Sequence, residues 1–128
     1  MQDRPTAEEL LEAIEEFLRD CSKNEANRFL RFQFLVAANS LAILRREWSG
    51  EESLLESEWA GLDSLTGLAD RPATFRELRR AVARRNDRLC DLIAEGRFDP
   101  PEAEAALLTH FLATISDKVR IATPAALA

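Results

Sequence analysis

The longest continuous hydrophobic pattern in the chain runs from Phe29 to Trp48, FLRFQFLVAANSLAILRREW. At the roughly 100° per residue of an α-helix, its apolar side chains point in almost every direction. Phe29, Val36 and Ile43 form one stripe. Leu30, Ala37, Leu41, Leu44 and Trp48 form a second, while Phe32, Leu35 and Ala42 extend the surface around the other side. A helix that is apolar all round must be covered all round. This run is therefore expected to be the central helix of a compact helical domain, wrapped by the other segments.

The flanking patterns are amphipathic. A first helix is expected over 7–21, with Thr6 and Glu9 spaced as a capping box. Leu10, Leu11, Ile14, Phe17, Leu18 and Cys21 make its apolar face at three- and four-residue steps. Glu8, Glu12, Glu15, Glu16 and Asp20 fill the rest. The second helix, 25–48, is expected to stop at Ser49-Gly50, where glycine can take a left-handed cap. A weaker third helix over 51–65 is carried by Leu54, Leu55, Trp59 and Leu62, with Gly61 lowering its propensity. GLADRPA, at 67–73, reads as a loop.

A second capping box, Thr74 with Glu77, opens a fourth helix that ends before Gly96. Its expected core positions are Phe75, Leu78, Val82, Leu89, Leu92 and Ile93. The fifth starts at Asp99-Pro100-Pro101-Glu102 with Asp99 as cap and ends at Pro124. Its expected core stripe is Leu108, Phe111, Leu112, Ile115, Val119 and Ala122. Short connections favour antiparallel neighbours. The expectation is an all-α, antiparallel bundle of four long helices and one shorter one, in a single domain over 1–128.

Composition narrows the class. The 128 residues, 46% hydrophobic and 31% charged, suit one ordinary globular domain. The absence of tyrosine and the four glycines argue against an all-β design. A net charge of −6 repels phosphate backbones and argues against nucleic-acid binding. The longest uncharged stretch, Phe32 to Leu44, is thirteen residues, against the roughly 20 that a membrane span needs. The start, MQDRPTAEEL, has neither the basic nor the apolar region of a secretory signal. A cytoplasmic protein is expected. Cys21 and Cys90 show no metal spacing and read as two reduced, mostly buried thiols, with a Cys21–Cys90 disulfide as the alternative.

Little in the chain points to catalysis. There is one histidine, and no nucleophile elbow, phosphate loop, HExxH or paired ExxH pattern. No cofactor and no metal are expected. His110, Thr114 and Asp117 form a polar stripe on the last helix, read as surface or inter-helix groups. An acid–base pair of His110 with Asp117 would need a third polar group nearby.

Asn39 interrupts the apolar run, and Asn86 and Arg85 lean toward the core side of the fourth helix. Buried polar groups need partners. These three are expected to bond to one another, to helix ends or to carboxylates, as a structural network or as the polar spot of an interhelical pocket. Arg76, Arg80, Arg84 and Arg88, with Arg79 at the edge, form an arginine face, read first as solvated, next as docking an acidic partner, and last as binding a phosphorylated small molecule or nucleic acid. Trp48 and Trp59 are homodimer contacts if either is exposed.

Several stretches together resemble a small bacterial helical family known only as a domain of unknown function. They are Arg4-Pro5-Thr6-Ala7 with Glu9-Leu10-Leu11-Glu12, and Val36-Ala37-Ala38-Asn39 with Arg46-Glu47. Asn86, Leu89-Cys90, Ile93 and Gly96 follow, then His110 through Lys118, Ile121 and Pro124. Gln33 stands where the family tends to have His, and Thr123 where it tends to have Asn. The resemblance implies a gene neighbourhood of aminoglycoside-phosphotransferase-like kinases and acyl-CoA dehydrogenases. It thus implies a cytosolic accessory protein whose partner is a co-encoded protein of one of those two kinds. The alternative expectation is a module binding an acyl or acyl-CoA-like ligand near Asn39 and Asn86.

Overall fold

A computed structural model describes residues 4–128. The start of the stretch read as lacking a secretory signal, 1–3, lies outside the described residues. The chain is all-α: α1 (Ala7–Asn24), α2 (Arg28–Thr66), α3 (Phe75–Ala94), α4 (Pro101–Ala122) and a short 3-10 helix, Pro124–Leu127. No described helix is long and apolar enough to cross a membrane. The contacts group into two compact units, Met1–Gly50 and Glu51–Ala128.

Local signals set most helix ends. Thr6 caps α1: Glu9 N–H donates to its Oγ1 at 3.2 Å, and Thr6 N–H donates to Glu9 Oε2 at 2.7 Å. Thr74 caps α3 in the same sense, accepting from Glu77 N–H at 3.3 Å. Asn27, not expected as a cap, accepts from the N–H groups of Phe29 and Leu30 and opens α2. Gly96 (φ 77°) closes α3: its N–H donates to Ile93 O, and Arg97 N–H donates to Leu92 O. Those two bonds are the Schellman pair. The expected Asp99 cap does not form. Pro100 is the N-cap of α4 and no side chain caps it.

The expected break at Ser49-Gly50 is absent. α2 continues through Gly50 to Thr66, so the second and third expected helices are one. A left-handed cap needs positive φ, and among the described glycines only Gly67 (φ 94°) and Gly96 take it. Gly67 therefore ends α2, its N–H donating to Asp63 O at 3.2 Å.

In the Met1–Gly50 unit, α1 and the first half of α2 form an antiparallel hairpin. The ties run in order: Ser22 Oγ to Arg31 O, Arg19 to Asn39, Arg45 to Glu15, and Ser49 to Glu8. The fully buried residues of this hairpin are small or polar, Glu15, Ser22, Ala38 and Ala42, with Leu11, Leu18, Phe34 and Leu41 half-buried. Glu15 accepts from Arg19 at 2.9 Å and from Arg45 at 3.2 Å, which draws the helices together on that line. Consequently the 29–48 run is not a covered central helix. Phe29, Leu30, Phe32, Leu35, Val36, Leu44 and Trp48 are exposed, as are Leu10, Ile14 and Phe17 of α1.

In the Glu51–Ala128 unit, Trp59, Leu62, Leu78, Ala81, Val82, Leu89 and Leu107 form one buried core, with Leu55, Leu65, Phe98 and Phe111 packed against it. Of the expected α3 positions, Leu78, Val82, Leu89 and Leu92 are buried, whereas Phe75 and Ile93 sit at the surface. The expected α4 stripe is rotated by about a quarter-turn: Phe111 still packs against the core and Val119 is half-buried, but Ala122 is exposed. Leu108, Leu112 and Ile115 are exposed, and Leu107 and His110 are buried in their place. The cause is Gly61. A Cβ there would overlap the His110 ring, lying 2.8 Å from Cε1 and closer still to Nδ1. The missing side chain is the notch that admits the imidazole and turns that face of α4 inward.

These two glycines predict opposite stability effects. Gly61→Ala is expected to destabilise by about 1–3 kcal/mol through overpacking against His110. Gly50 has no atom within 4 Å of a Cβ. Gly50→Ala is expected to stabilise by about 0.5–1 kcal/mol, as for any open mid-helix site. Urea denaturation of both variants checks the pair. A loss on Gly50→Ala would mean that this glycine caps a helix after all.

Candidate functional site

The polar chemistry of the Glu51–Ala128 unit gathers where α3 meets the end of α2. Trp59, Asp63 and Thr66 follow one another at steps of four and three, so they share a helix face. Arg85 of α3 lies across them. Its Nη1 donates to Asp63 Oδ1 at 2.7 Å, and its Nη2 donates to Thr66 Oγ1 at 3.0 Å and to Gly67 O at 2.7 Å. The guanidinium carbon stands 4.2 Å over the Trp59 ring. The flat cation thus meets a carboxylate, a hydroxyl, a helix-end carbonyl and an aromatic face together, a combination that a lysine cannot match. The Gly67 turn puts that carbonyl within reach.

One residue on, Asn86 Nδ2 donates to Glu58 Oε1 at 2.7 Å. Glu58 also acts on His110. Burial is the largest influence on this imidazole and holds its pKa below the ordinary value, with Glu58 pulling it back up and Lys118 pushing it down. The ring packs against Gly61 and lies 6.1 Å, centroid to centroid, from that of Phe111. Asp117 does not turn to His110. It accepts from Arg120 at 2.7 Å, and Thr114 is half-buried beside them in sequence.

The expected polar spot is thus assembled only in part. Arg85 and Asn86 find carboxylates and a helix end, as anticipated. Asn39 is exposed rather than buried, and within the Met1–Gly50 unit it accepts from Arg19 at 3.2 Å. The reason is angular. Ala38 and Ala42 occupy the line facing α1, and Asn39 sits about a quarter-turn away from it. Glu58 and Asp63, the partners that complete the cluster, were not singled out from the sequence. Their signal is weak: Asp63 lies four residues after Trp59 on the same helix, and Glu58 directly precedes that tryptophan.

The arginine face divides in two. Arg76, Arg80 and Arg84 are exposed and form no ion pair with any described residue. Arg79 pairs with Glu51 and lies over Phe75, and Arg88 pairs with Glu95 at 3.3 Å. Beside Arg88 is a groove of about 450 Å³, lined by Leu65, Leu92, Phe98 and Ala106 with Arg88 and Arg97. Neither Asn39 nor Asn86 lines it. Both thiols are free; Cys90 is exposed rather than buried, and Cys21 is half-buried. Among the described residues no three His, Cys, Asp or Glu side chains come together as a metal site.

Two outcomes follow. Arg85→Ala is expected to cost about 2–4 kcal/mol, because Asp63 loses its buried counter-charge and Trp59 its cover. Arg85→Lys should recover less than half of that in urea denaturation. For His110, a folded pKa below the unfolded one means that the unfolded chain takes up the proton first. The stability it contributes is therefore full above about pH 6.5 and lost as pH falls through that value toward the folded pKa. His110→Gln should flatten the loss of stability measured between about pH 7.5 and about pH 5.5.

No curated protein and no solved structure matches the chain. A family model does: the domain of unknown function DUF6285 matches residues 24–126, from the end of α1 to the final 3-10 helix. It takes in Arg85, Asn86, His110 and the arginine face, and the chain belongs to this family of helical domains of unknown function.

Proposed function

We propose that this chain is a non-catalytic accessory module that docks an acidic surface of a partner protein on the arginine face of α3. One observation carries the reading. Arg79, Arg85 and Arg88 all have carboxylate partners, whereas Arg76, Arg80 and Arg84 have none among the described residues. Like charges at four-residue steps on a helix destabilise it by about 0.2–0.5 kcal/mol per pair. Three such guanidinium groups in a row, on a chain of net charge −6, form a local field that acidic side chains of a partner would relieve. The non-catalytic part is supported by the state of His110: the single histidine is buried against Gly61, and Asp117 is held by Arg120.

The partner we favour is a co-encoded kinase-like protein or acyl-CoA dehydrogenase, and the setting we favour is the cytoplasm. Arg80→Glu with Arg84→Glu is expected to weaken that complex by at least tenfold, about 1.4 kcal/mol. The melting temperature should hardly move, since neither side chain is buried. Titration calorimetry against each candidate partner reads this out. Unchanged affinity in the doubly reversed protein sinks the docking face.

A second reading has one observation in its favour. The groove of about 450 Å³ combines Leu65, Leu92 and Phe98 with Ser64, Thr66, Arg88 and Arg97, a mixed lining that suits an anionic ligand with an apolar tail such as an acyl-CoA-like molecule. A thermal-shift screen of acyl-CoA chain lengths tests it, with Arg97→Ala expected to abolish any shift.

A further inference from the structure

We propose that two copies of this chain associate through one face of the Met1–Gly50 hairpin, closing a four-helix arrangement between them. The proposal is independent of the arginine face. Taking Glu15 and Ala38 as the positions that face each other, helical angles can be assigned to every residue of α1 and of the first half of α2. Leu10, Ile14 and Phe17 fall on one side of the plane through both helices. For antiparallel helices, Leu30, Leu44 and Trp48 fall on that same side. The assignment agrees with the hydrogen bond between Arg19 and Asn39, both of which come out on the opposite side.

This shared face has the properties of an interface. Its six named side chains are 41–66% exposed. At about 150–250 Å² for each aromatic and somewhat less for leucine or isoleucine, they leave roughly 450–700 Å² of apolar surface open. The largest patch on an ordinary monomer is about 300–600 Å², and a stable dimer buries about 800 Å² per partner. Arg45 is the one charged residue of the two helices assigned to this side, close to the plane between them, and it is turned in to Glu12 and Glu15. A centre depleted of free charge is the mark of a homodimer contact and offers an acidic or basic partner little to bind. On α2 the stripe recurs at 30, 34, 37, 41, 44 and 48, alternating steps of four and three. That is the spacing of a left-handed helix-on-helix seam. A hairpin contributes two helices to such a seam and needs two more, and a second copy of the same hairpin supplies them about a two-fold axis.

Light scattering on the full chain at tens of micromolar is expected to give twice the 14.4 kDa chain mass. Phe17→Asp or Trp48→Asp should weaken association at least thirtyfold while keeping the helical circular dichroism. Phe32→Asp, on the outer edge of α2, should remain dimeric. A second readout needs no variant. Trp59 is buried in the core and Trp48 is exposed in the single chain. Acrylamide quenching of tryptophan fluorescence should therefore rise as the protein is diluted through dissociation. A monomeric wild type at these concentrations overturns the proposal. So does a dimer that Phe32→Asp breaks and Phe17→Asp does not.

Discussion

The Arg85 guanidinium is the interaction on which the Glu51–Ala128 unit depends. A half-buried ion pair gains little net energy by itself, because desolvation offsets much of the Coulomb attraction. Its effect is geometric. One rigid fork must meet Asp63, Thr66 and the Gly67 carbonyl while its face covers Trp59. Only one register of α3 against the end of α2 satisfies all four. In that register Leu78, Val82 and Leu89 join Trp59 and Leu62 in the core, and Asn86 comes opposite Glu58. The clamp also explains the polarity of α3. Arg85 is used inside, so Arg80 and Arg84, one or more positions away on the helix, are turned outward.

The parts of the fold legible in the sequence are the local ones. The Thr6–Glu9 capping box, the loop after Gly67 and the glycine that closes α3 depend on local residues, and each forms as read. At Thr74 the N-cap bond forms, but Glu77 accepts from the threonine hydroxyl and not from its backbone N–H, so the second box is half made. Gly50 was misread because glycine permits a cap without requiring one. The residues after it, Glu51 to Leu55, form helix well enough that the chain continues. The rotated face of α4 was not legible from α4 alone. Its apolar stripe is the stronger signal, and what overrides it is an absent side chain on another helix, Gly61. The all-round apolar run at 29–48 shows the same limit. A pattern states that a surface needs cover and is silent on whether the cover belongs to the same chain.

The candidate site was legible to a similar depth. Arg85 and Asn86 could be picked out as inward-leaning polar groups, and the need for partners follows from burial alone. The identity of those partners, Asp63 and Glu58, depends on the register of two helices, which periodicity does not encode. Asn39 failed for a related reason. It interrupts an apolar run, but the buried line of the hairpin is the small-residue line of Ala38 and Ala42. On a hairpin held by Glu15 and two arginines, large apolar side chains are not what the helices use to approach each other.

That distribution bears on function. Small and charged groups occupy the buried line of the hairpin, which leaves many of its large apolar side chains, Phe17, Phe29, Phe32 and Trp48 among them, on the outside. On α3 the order is reversed, with apolar groups inside and unpaired guanidinium groups outside. The two surfaces obey different physics. Apolar association is insensitive to salt and slow to dissociate once about 800 Å² is buried. Contacts through exposed arginines are screened within about 8–10 Å at physiological ionic strength and act mainly on the rate of encounter. In the readings proposed above, self-association is therefore the permanent contact and partner docking the exchangeable one. Raising the salt concentration separates them: it should release an acidic partner from α3 and leave the paired hairpins intact.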